Sequence, residues 1–219
     1  MGQPITYLHQ GEAEYPTELT DYLGEQAPAT VASWGERHIW FKRDTPLLAL
    51  FCSAKAPAGI MLQVHDLAQC WRTTGVTIIS GFHSPVEQEC LSVLLRGPGP
   101  VIACPARGLT RMRLKREYKE PMSAGRLLLM SPFGEKVRRM TADTALTRNR
   151  FVAALADEVL IAHAQPGSKT ERLAQEVVGW GKQVCTLDHP ANDNLLAIGV
   201  LRYLSAGMPF ARQGRPPTS

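Results

Sequence analysis

From Leu47 onward, short apolar runs alternate with segments whose apolar residues recur at helical spacing. Such alternation predicts strands joined by helices, and hence an open sheet with right-handed crossovers. The predicted strands are Leu47–Ser53, Val76–Ser80, Val101–Cys104, Arg126–Met130, Val159–Ala164 and Gln183–Leu187. The predicted helices are Gly59–Thr74, Pro85–Leu95, Thr110–Met122, Leu146–Ala156, Lys169–Trp180 and Asp193–Ser205. We therefore expect an α/β fold: a Rossmann-like, doubly wound, mostly parallel six-stranded sheet.

The chain before and after this pattern differs in composition. Residues 1–46 hold seven acidic and three basic residues, with one short predicted helix at Thr17–Leu23. We expect residues 1–46 to be an N-terminal extension packed on the core, residues 47–206 to be the Rossmann-like domain, and residues 207–219 to be a flexible tail. No apolar run is long enough to cross a membrane, and the first residues lack signal-peptide features, so we expect a cytoplasmic protein without a membrane partner.

The cysteine pattern argues against disulfide bonds and against a zinc site. Five cysteines are present, an odd number, scattered and without a CxxC pair. This arrangement disfavours disulfides and a zinc site, so no metal is expected.

Basic residues are concentrated in the second half of the chain. Residues 47–219 contain 21 basic and 13 acidic residues. The clustered bases are Arg107, Arg111, Arg113, Lys115, Arg116, Lys119, Lys136, Arg138, Arg139, Arg148 and Arg150. Such a cluster either attracts a phosphate-bearing polymer or is a solvated helix surface, and charge alone does not decide between them.

The carboxyl ends of the predicted strands define the candidate site, because ligands of doubly wound sheets bind there. Cations expected to contact phosphates are Lys55, Arg107, Arg148, Arg150 and Lys169; hydroxyl, amide or backbone donors are expected from Ser53, Ser80, Gly81, Asn149, Gly167, Ser168 and Thr170. Phe82 either stacks on a base or fills the core. His83 is either a general base or a hydrogen-bonding loop residue. Paired carboxylates, a Ser/His/Asp arrangement and nucleotide-binding glycine fingerprints are missing, which favours binding over catalysis and implies no cofactor.

Residues 165–170, Gln-Pro-Gly-Ser-Lys-Thr, follow a buried strand and precede a helix. Free N–H groups and the helix dipole at such a junction favour an anion. The alternative is a turn and an N-cap without a ligand.

Several short motifs occur in an order that resembles one known family. They are Tyr15-Pro16 with Leu19; Ser80-Gly81; Val101-Ile-Ala with Gly108-Leu109; Ser123-Ala-Gly-Arg-Leu-Leu-Leu-Met-Ser131; Arg148-Asn-Arg-Phe-Val-Ala-Ala-Leu155; and Gly167-Ser168 with Thr170. The order is similar to that of the DprA/Smf family of DNA-processing proteins. The family's Gly-Ser-Arg motif appears here as Cys52-Ser53-Ala54-Lys55, with Lys in place of Arg. Its Ala-x-Gly-Ile-Asp segment is replaced by His83-Ser84-Pro85-Val86-Glu87.

The resemblance implies a non-enzymatic protein that binds single-stranded DNA or another nucleic acid and acts in DNA processing, recombination, or a mobile-element or defence pathway. It also implies a homodimer and a recombination-protein partner. The alternative is an enzyme of the wider superfamily that binds or hydrolyses a nucleotide, with Pro166-Gly167 to Glu171 as a partial phosphoribohydrolase signature. A third reading is an adaptor that docks a partner protein.

Overall fold

The computed structural model describes residues 4–41 and 46–203. These residues form one nine-stranded sheet with helices on both faces. The strands are β1 Thr6–His9, β2 Thr30–Gly35, β3 Leu47–Cys52, β4 Thr77–Ser80, β5 Val101–Ala103, β6 Leu127–Ser131, β7 Glu158–His163, β8 Gln183–Thr186 and β9 Leu201–Arg202. The helices are α1 Thr17–Leu23, α2 His38–Phe41, α3 Ala58–Thr74, α4 Pro85–Leu94, α5 Arg116–Ser123, α6 Ala142–Leu155, α7 Lys169–Gly179 and α8 Asp193–Ala197, with short 3-10 helices at Gly24–Gln26 and Pro190–Asn192.

The strand order is β1-β2-β6-β5-β4-β3-β7-β8-β9, and every pair from β6 to β9 is parallel. The chain starts the parallel sheet in its middle, at β3, proceeds outward to β6, and then returns to place β7 on the free side of β3. This reversal is the topological switch of a doubly wound sheet, so the Rossmann-like fold class is confirmed.

Strand burial explains why helices cover both faces. Leu48 and Leu50 pack in one apolar cluster with α3, α4 and α5. Ala49 and Phe51, on the other face of the same strand, pack in a second cluster with α1, α6 and α7. Alternate residues of β3 therefore point into two separate cores, as expected for a parallel strand covered on both sides.

The predicted strand number is too low. The first 46 residues contribute the helix predicted at Thr17–Leu23 but also two strands. β2 is antiparallel to β6, and β1 is antiparallel to β2, so this segment extends the sheet at the β6 edge.

Three predicted helices are wrong in extent. α6 begins at Ala142, four residues before the predicted Leu146, where Thr141 and Thr144 form a capping box. α5 begins at Arg116 rather than Thr110, because residues 111–115 alternate exposed cations with the partly buried Met112 and Leu114, a period of two. α8 ends at Ala197 and is followed by Gly199, with φ +90°, and by β9. The predicted tail at 207–219 lies outside the described residues. Within the described residues, no helix has the length and apolar character needed to cross a membrane.

Candidate functional site at the carboxyl edge of the sheet

The loops after β3, β4, β5, β6 and β7 meet at one edge of the sheet, which we call the rim. It consists of residues 53–57, 81–84, 104–115, 132–141 and 164–170, the last range including the first two residues of α7. At the topological switch, the backbone N–H of Ser53 donates to the carbonyl of His163 at 2.9 Å. The N–H of Gln165 donates to Ser53 Oγ at 3.4 Å. The structure therefore brings together the predicted loops after β3 and β7, with Ser53 largely buried between them.

A buried carboxylate ties two of these loops together. Glu87 is 6% exposed. Its Oε1 accepts the N–H of Cys52 at 2.9 Å, and its Oε2 accepts the N–H groups of His83 and Ser84 at 2.8 and 3.3 Å. Ser84 Oγ accepts the N–H of Glu87 in return, which completes a capping box at the start of α4. We did not predict this role, although the Ser-Pro-x-Glu spacing is a recognisable capping signal.

Arg148 lies beneath the rim rather than on it. It is 4% exposed, Nη1 donates to the carbonyl of Cys104 at 3.0 Å, and Nε donates to Asn149 Oδ1 at 2.8 Å. Burial lowers the pKa of Arg148, an effect that the charge of Glu87 opposes. These contacts do not favour the predicted phosphate contact for Arg148, because its side chain is buried and holds the loop after β5. Asn149 is half-buried and its Oδ1 accepts from Arg148.

Arg150 also lies away from the predicted site. Its Nε donates to Glu176 Oε2 of α7 at 2.9 Å, and Nη1 donates to Gln26 Oε1 at 3.3 Å. Residues 148 and 150 are two positions apart on α6 and so face different directions. Arg150 pairs with a neighbouring helix instead of joining the rim.

The loop before α7 forms the predicted N-cap and leaves two backbone amides without an acceptor among the described residues. Ser168 Oγ caps α7 by accepting the N–H of Glu171 at 3.2 Å. The N–H of Gly167, a residue with φ +72°, donates to Glu171 Oε2 at 2.6 Å. The backbone N–H groups of Lys169 and Thr170 have no acceptor within the described part of the chain. These two groups lie at the positive end of the α7 dipole and are available to an anion.

Glu171 is occupied by the protein itself. Besides the N–H of Gly167, it accepts the side-chain amide of Asn194 at 2.5 Å, and Asn194 also donates to the carbonyl of Ala164 at 3.1 Å. Because both oxygens of Glu171 accept hydrogen bonds from the protein, this carboxylate stabilises the loop before α7. This arrangement does not favour the alternative in which Glu171 takes part in hydrolysis.

Ser80 and Phe82 belong to the interior. Ser80 is fully buried, and its Oγ accepts the N–H of Phe82 at 3.1 Å. The Phe82 ring is 6% exposed and packs in the cluster of α3, α4 and α5, so of the two predicted roles the core role describes it. His163 is likewise buried, with Nδ1 2.9 Å from Asn192 Oδ1. His83 is exposed at the rim.

The remaining predicted cations do lie at the rim. Lys55 and Lys169 are exposed and Arg107 is partly exposed, and none has an ion pair among residues 4–41 and 46–203. Further exposed rim cations that we did not include in the predicted site, although they belong to the basic cluster, are Arg111, Arg113, Lys136, Arg138 and Arg139. We call Arg107 and these five residues the loop cations.

Close backbone packing joins the two loops that carry the loop cations. The N–H of Gly108 donates to the carbonyl of Val137 at 2.8 Å, and Ser131 Oγ donates to the carbonyl of Arg107 at 2.8 Å. A Cβ atom at Gly108 would lie 2.5 Å from the carbonyl oxygen of Gly134. The loops after β5 and β6 therefore present their positive charges as one surface, and a glycine is required where they meet.

A doubly wound sheet of this topology defines a Rossmann-like protein. The free amides and unpaired cations at its carboxyl edge, among the described residues, are groups that suit an anionic ligand. The sequence model of the DNA recombination-mediator protein A family matches residues 6–205. The chain therefore belongs to that family, and the resemblance to DprA in its sequence motifs is confirmed. No curated protein matches the chain.

Solved structures show the same fold. DNA processing protein A from Streptococcus pneumoniae is 18% identical, with a TM-score of 0.75 over 92% of this chain and 71% of that one. DNA processing protein A from Helicobacter pylori, which binds single-stranded DNA, is 19% identical, with a TM-score of 0.72 over 92% of each chain. A molybdenum cofactor binding protein from Rippkaea orientalis is 15% identical, with a TM-score of 0.52 over 72% of this chain and 88% of that one.

Proposed function

We propose that this protein binds single-stranded nucleic acid, in the first place single-stranded DNA, along the rim, and that it does so without cleaving it. Family membership supports a role in DNA processing and recombination. The single-stranded-DNA binding of the Helicobacter pylori protein of the same fold supports the choice of ligand. A homodimer, a recombination-protein partner and a mobile-element or defence pathway stay predictions from the resemblance.

The observation that carries the proposal is the set of unpaired cations at the carboxyl edge. Lys55, Lys169 and the loop cations follow four different strands, β3, β5, β6 and β7. Positive charge spread over four loops suits a chain of phosphates better than the single phosphate group of a mononucleotide. The free amides of Lys169 and Thr170 add donors that can hold one phosphate at a fixed position.

The test is a fluorescence-anisotropy titration of a labelled single-stranded oligonucleotide at several salt concentrations. If Lys55, Arg107 and Lys169 each contact one phosphate, counterion release gives a slope of about −2 for log K against log salt, or about 20-fold weaker binding from 50 to 200 mM salt. Unlabelled duplex DNA, RNA and a nucleoside monophosphate serve as competitors. No binding even at low salt would overturn the proposal.

The competitor series also tests the enzymatic alternative. A nucleoside monophosphate that displaces the oligonucleotide and loses its base, in a reaction abolished by Glu171→Gln, would establish hydrolysis instead. We expect neither displacement at micromolar concentration nor release of free base, because both oxygens of Glu171 already accept hydrogen bonds from the protein.

A further inference from the structure

A groove of about 610 Å³ lies between α4 and α5, beside the rim. Its floor is apolar and consists of Phe82, Leu91, Leu95 and Pro121. Gln88 and Ser92 of α4 supply polar atoms along one wall. Pockets that hold small organic groups have volumes of about 300–1,000 Å³ with an apolar lining and a few polar groups. The groove fits this description.

The residue at the rim end of the floor has an unusual backbone conformation. Phe82 has φ +46°, and no other non-glycine residue in the described ranges has a positive φ. The left-handed region is unfavourable for a bulky side chain, and such outliers persist where neighbouring contacts enforce them, often at ligand sites. Here Ser80 Oγ holds the N–H of Phe82, while Gly81 packs on Arg148. Most of the Phe82 ring packs in the core, and the small part that stays exposed borders the groove.

The mouth of the groove carries an unpaired positive charge. Arg116 is exposed and has no ion pair in the described structure, whereas Lys115 pairs with Glu117 at 3.5 Å and Glu120 pairs with Arg126 at 2.7 Å. Arg96 Nη2 donates to Ser92 Oγ at 2.9 Å. Arg116 is therefore the lining cation best placed to meet a phosphate.

A basic segment connects the mouth with the rim. Residues 107–116 lead from the end of β5 to the first residue of α5. In this segment Arg111, Arg113 and Lys115 are exposed, while the intervening Met112 and Leu114 pack against the core. A strand whose phosphates follow these cations arrives at Arg116, where the groove opens.

We propose that the α4–α5 groove is a base-binding subsite for the strand whose phosphates contact the rim; this inference rests on the proposed function. The apolar floor receives the face of a nucleobase. Gln88 Nε2 already donates to the carbonyl of His83 at 2.9 Å, so Gln88 Oε1 and the Ser92 hydroxyl, which accepts from Arg96, are the groups that meet the polar edge of the base. Contact between a base and apolar or aromatic side chains tolerates any sequence, because every base has an apolar face. The groove thus adds affinity for unpaired bases, which a duplex does not present.

The experiment compares two labelled oligonucleotides of about 12 nucleotides. One carries bases, and in the other the bases are replaced by abasic tetrahydrofuran units, so both have the same phosphates. We expect the wild-type protein to bind the base-containing strand about 5- to 150-fold more tightly, the range expected for one buried base. Ser92→Trp fills the groove and should remove most of this preference while leaving the affinity for the abasic strand unchanged.

Two matched controls accompany the groove variants. Thr73→Trp adds the same ring to an exposed position of α3 and should preserve the preference. Arg116→Ala and Lys119→Ala each remove one exposed charge from α5, but only Arg116 lines the groove. We expect Arg116→Ala to weaken binding of the base-containing strand several-fold more than Lys119→Ala does.

Equal affinity of the wild-type protein for both strands would overturn the subsite and leave the salt-dependent rim intact. A preference that survives Ser92→Trp would place the base elsewhere and also overturn it. Binding of neither strand would refute the proposed function together with the subsite. If thermal unfolding shows that Ser92→Trp is not folded, the comparison of Arg116→Ala with Lys119→Ala tests the subsite instead. Equal weakening of binding in these two variants would then overturn it.

Discussion

Gly81 lies directly against the guanidinium group of the buried Arg148, so closely that a Cβ atom at residue 81 would overlap it. The loop after β4 and helix α6 approach to this distance because one partner has no side chain. Arg148 in turn holds the carbonyl of Cys104 at the end of β5, and Glu87 holds the N–H of Cys52 at the end of β3. Two buried charges of opposite sign thus fix the loops of three neighbouring strands.

The first prediction concerns this contact. Gly81→Ala should displace the Arg148 guanidinium, weaken its bond to Cys104 and lower the free energy of unfolding by about 1–3 kcal/mol, the usual cost of overpacking a core. Urea denaturation measures the change. Gly179→Ala is the control, since Gly179 ends a helix with nothing within 4 Å of its added Cβ atom and should be neutral or stabilising. Equal effects of the two substitutions would contradict the close approach.

The second prediction separates rim cations from other cations. Lys55→Ala, Arg107→Ala and Lys169→Ala should each weaken oligonucleotide binding and reduce the magnitude of the salt slope by about 0.7. Arg150→Ala also removes one positive charge, but that side chain pairs with Glu176. It should leave the slope unchanged. A slope that falls equally in all four variants would mean that net charge, and not the rim, governs binding.

The third prediction concerns a lysine that caps a helix. Lys182 Nζ donates to the carbonyls of Ala153, Ala154 and Ala156 at 2.9, 2.6 and 2.6 Å, and it lies 4.0 Å from the centre of the Tyr22 ring. It therefore satisfies carbonyls at the end of α6 that lack helical partners. Lys182→Met should cost about 1–3 kcal/mol of stability, as expected for hydrogen bonds to a charged group at a helix C-terminus.

Thermal unfolding and urea titration measure the effect of Lys182→Met. Lys119→Met is the matched control because Lys119 is exposed on α5. A change of less than a few tenths of a kcal/mol at Lys182, similar to that of an ordinary surface substitution, would show that water replaces the lysine at no cost.

The fourth prediction is a pH dependence of stability. Burial, with the charge of Asp157 adding to it, raises the pKa of Glu158 to about 7, and its Oε2 is buried without a hydrogen-bond partner. The folded protein therefore keeps the Glu158 carboxyl protonated at pH values where the unfolded chain has already lost that proton. Linkage then requires the contribution of Glu158 to stability to decrease as pH rises from about 4.5 to about 7.

Glu158→Gln removes the titrating proton. The variant should gain stability relative to the wild type as pH rises through this range, and the difference should level off above it. Urea midpoints measured for both proteins from pH 5 to 8 test this. If the urea midpoints of the two proteins changed in parallel with pH, Glu158 would have the same pKa in the folded protein as in the unfolded chain.

Strands from β3 to β8 were predictable because burial on both faces forces nearly continuous apolar runs such as Leu47–Cys52. The two N-terminal strands were not. β2 is defined by its antiparallel pairing with β6, and a pairing between segments so far apart in the chain leaves little local signal. The predicted helix Thr110–Met122 begins six residues before α5, although the period of two in residues 111–115 indicates extended chain.

The loops that form the site were predictable from strand ends, but the orientation of single side chains was not. Arg148, Arg150 and Lys169 are all cations near the same loops in sequence. In the structure one is buried, one pairs with Glu176 and one is exposed at the rim. The position of each side chain depends on which face of its helix packs against another element. That packing involves elements distant in the chain, so the local sequence does not predict it.

The attachment of β2 to β6 has a consequence for how the protein is made. Ala32 of β2 pairs with Ser131 of β6, so at about 5–20 residues per second the ribosome delivers the partner strand about 5–20 seconds after β2 itself. Throughout that interval the N-terminal hairpin has no sheet to join. We therefore expect the acidic N-terminal segment, although it is synthesised first, to dock only after β6 is complete and the parallel strands from β3 to β6 have paired.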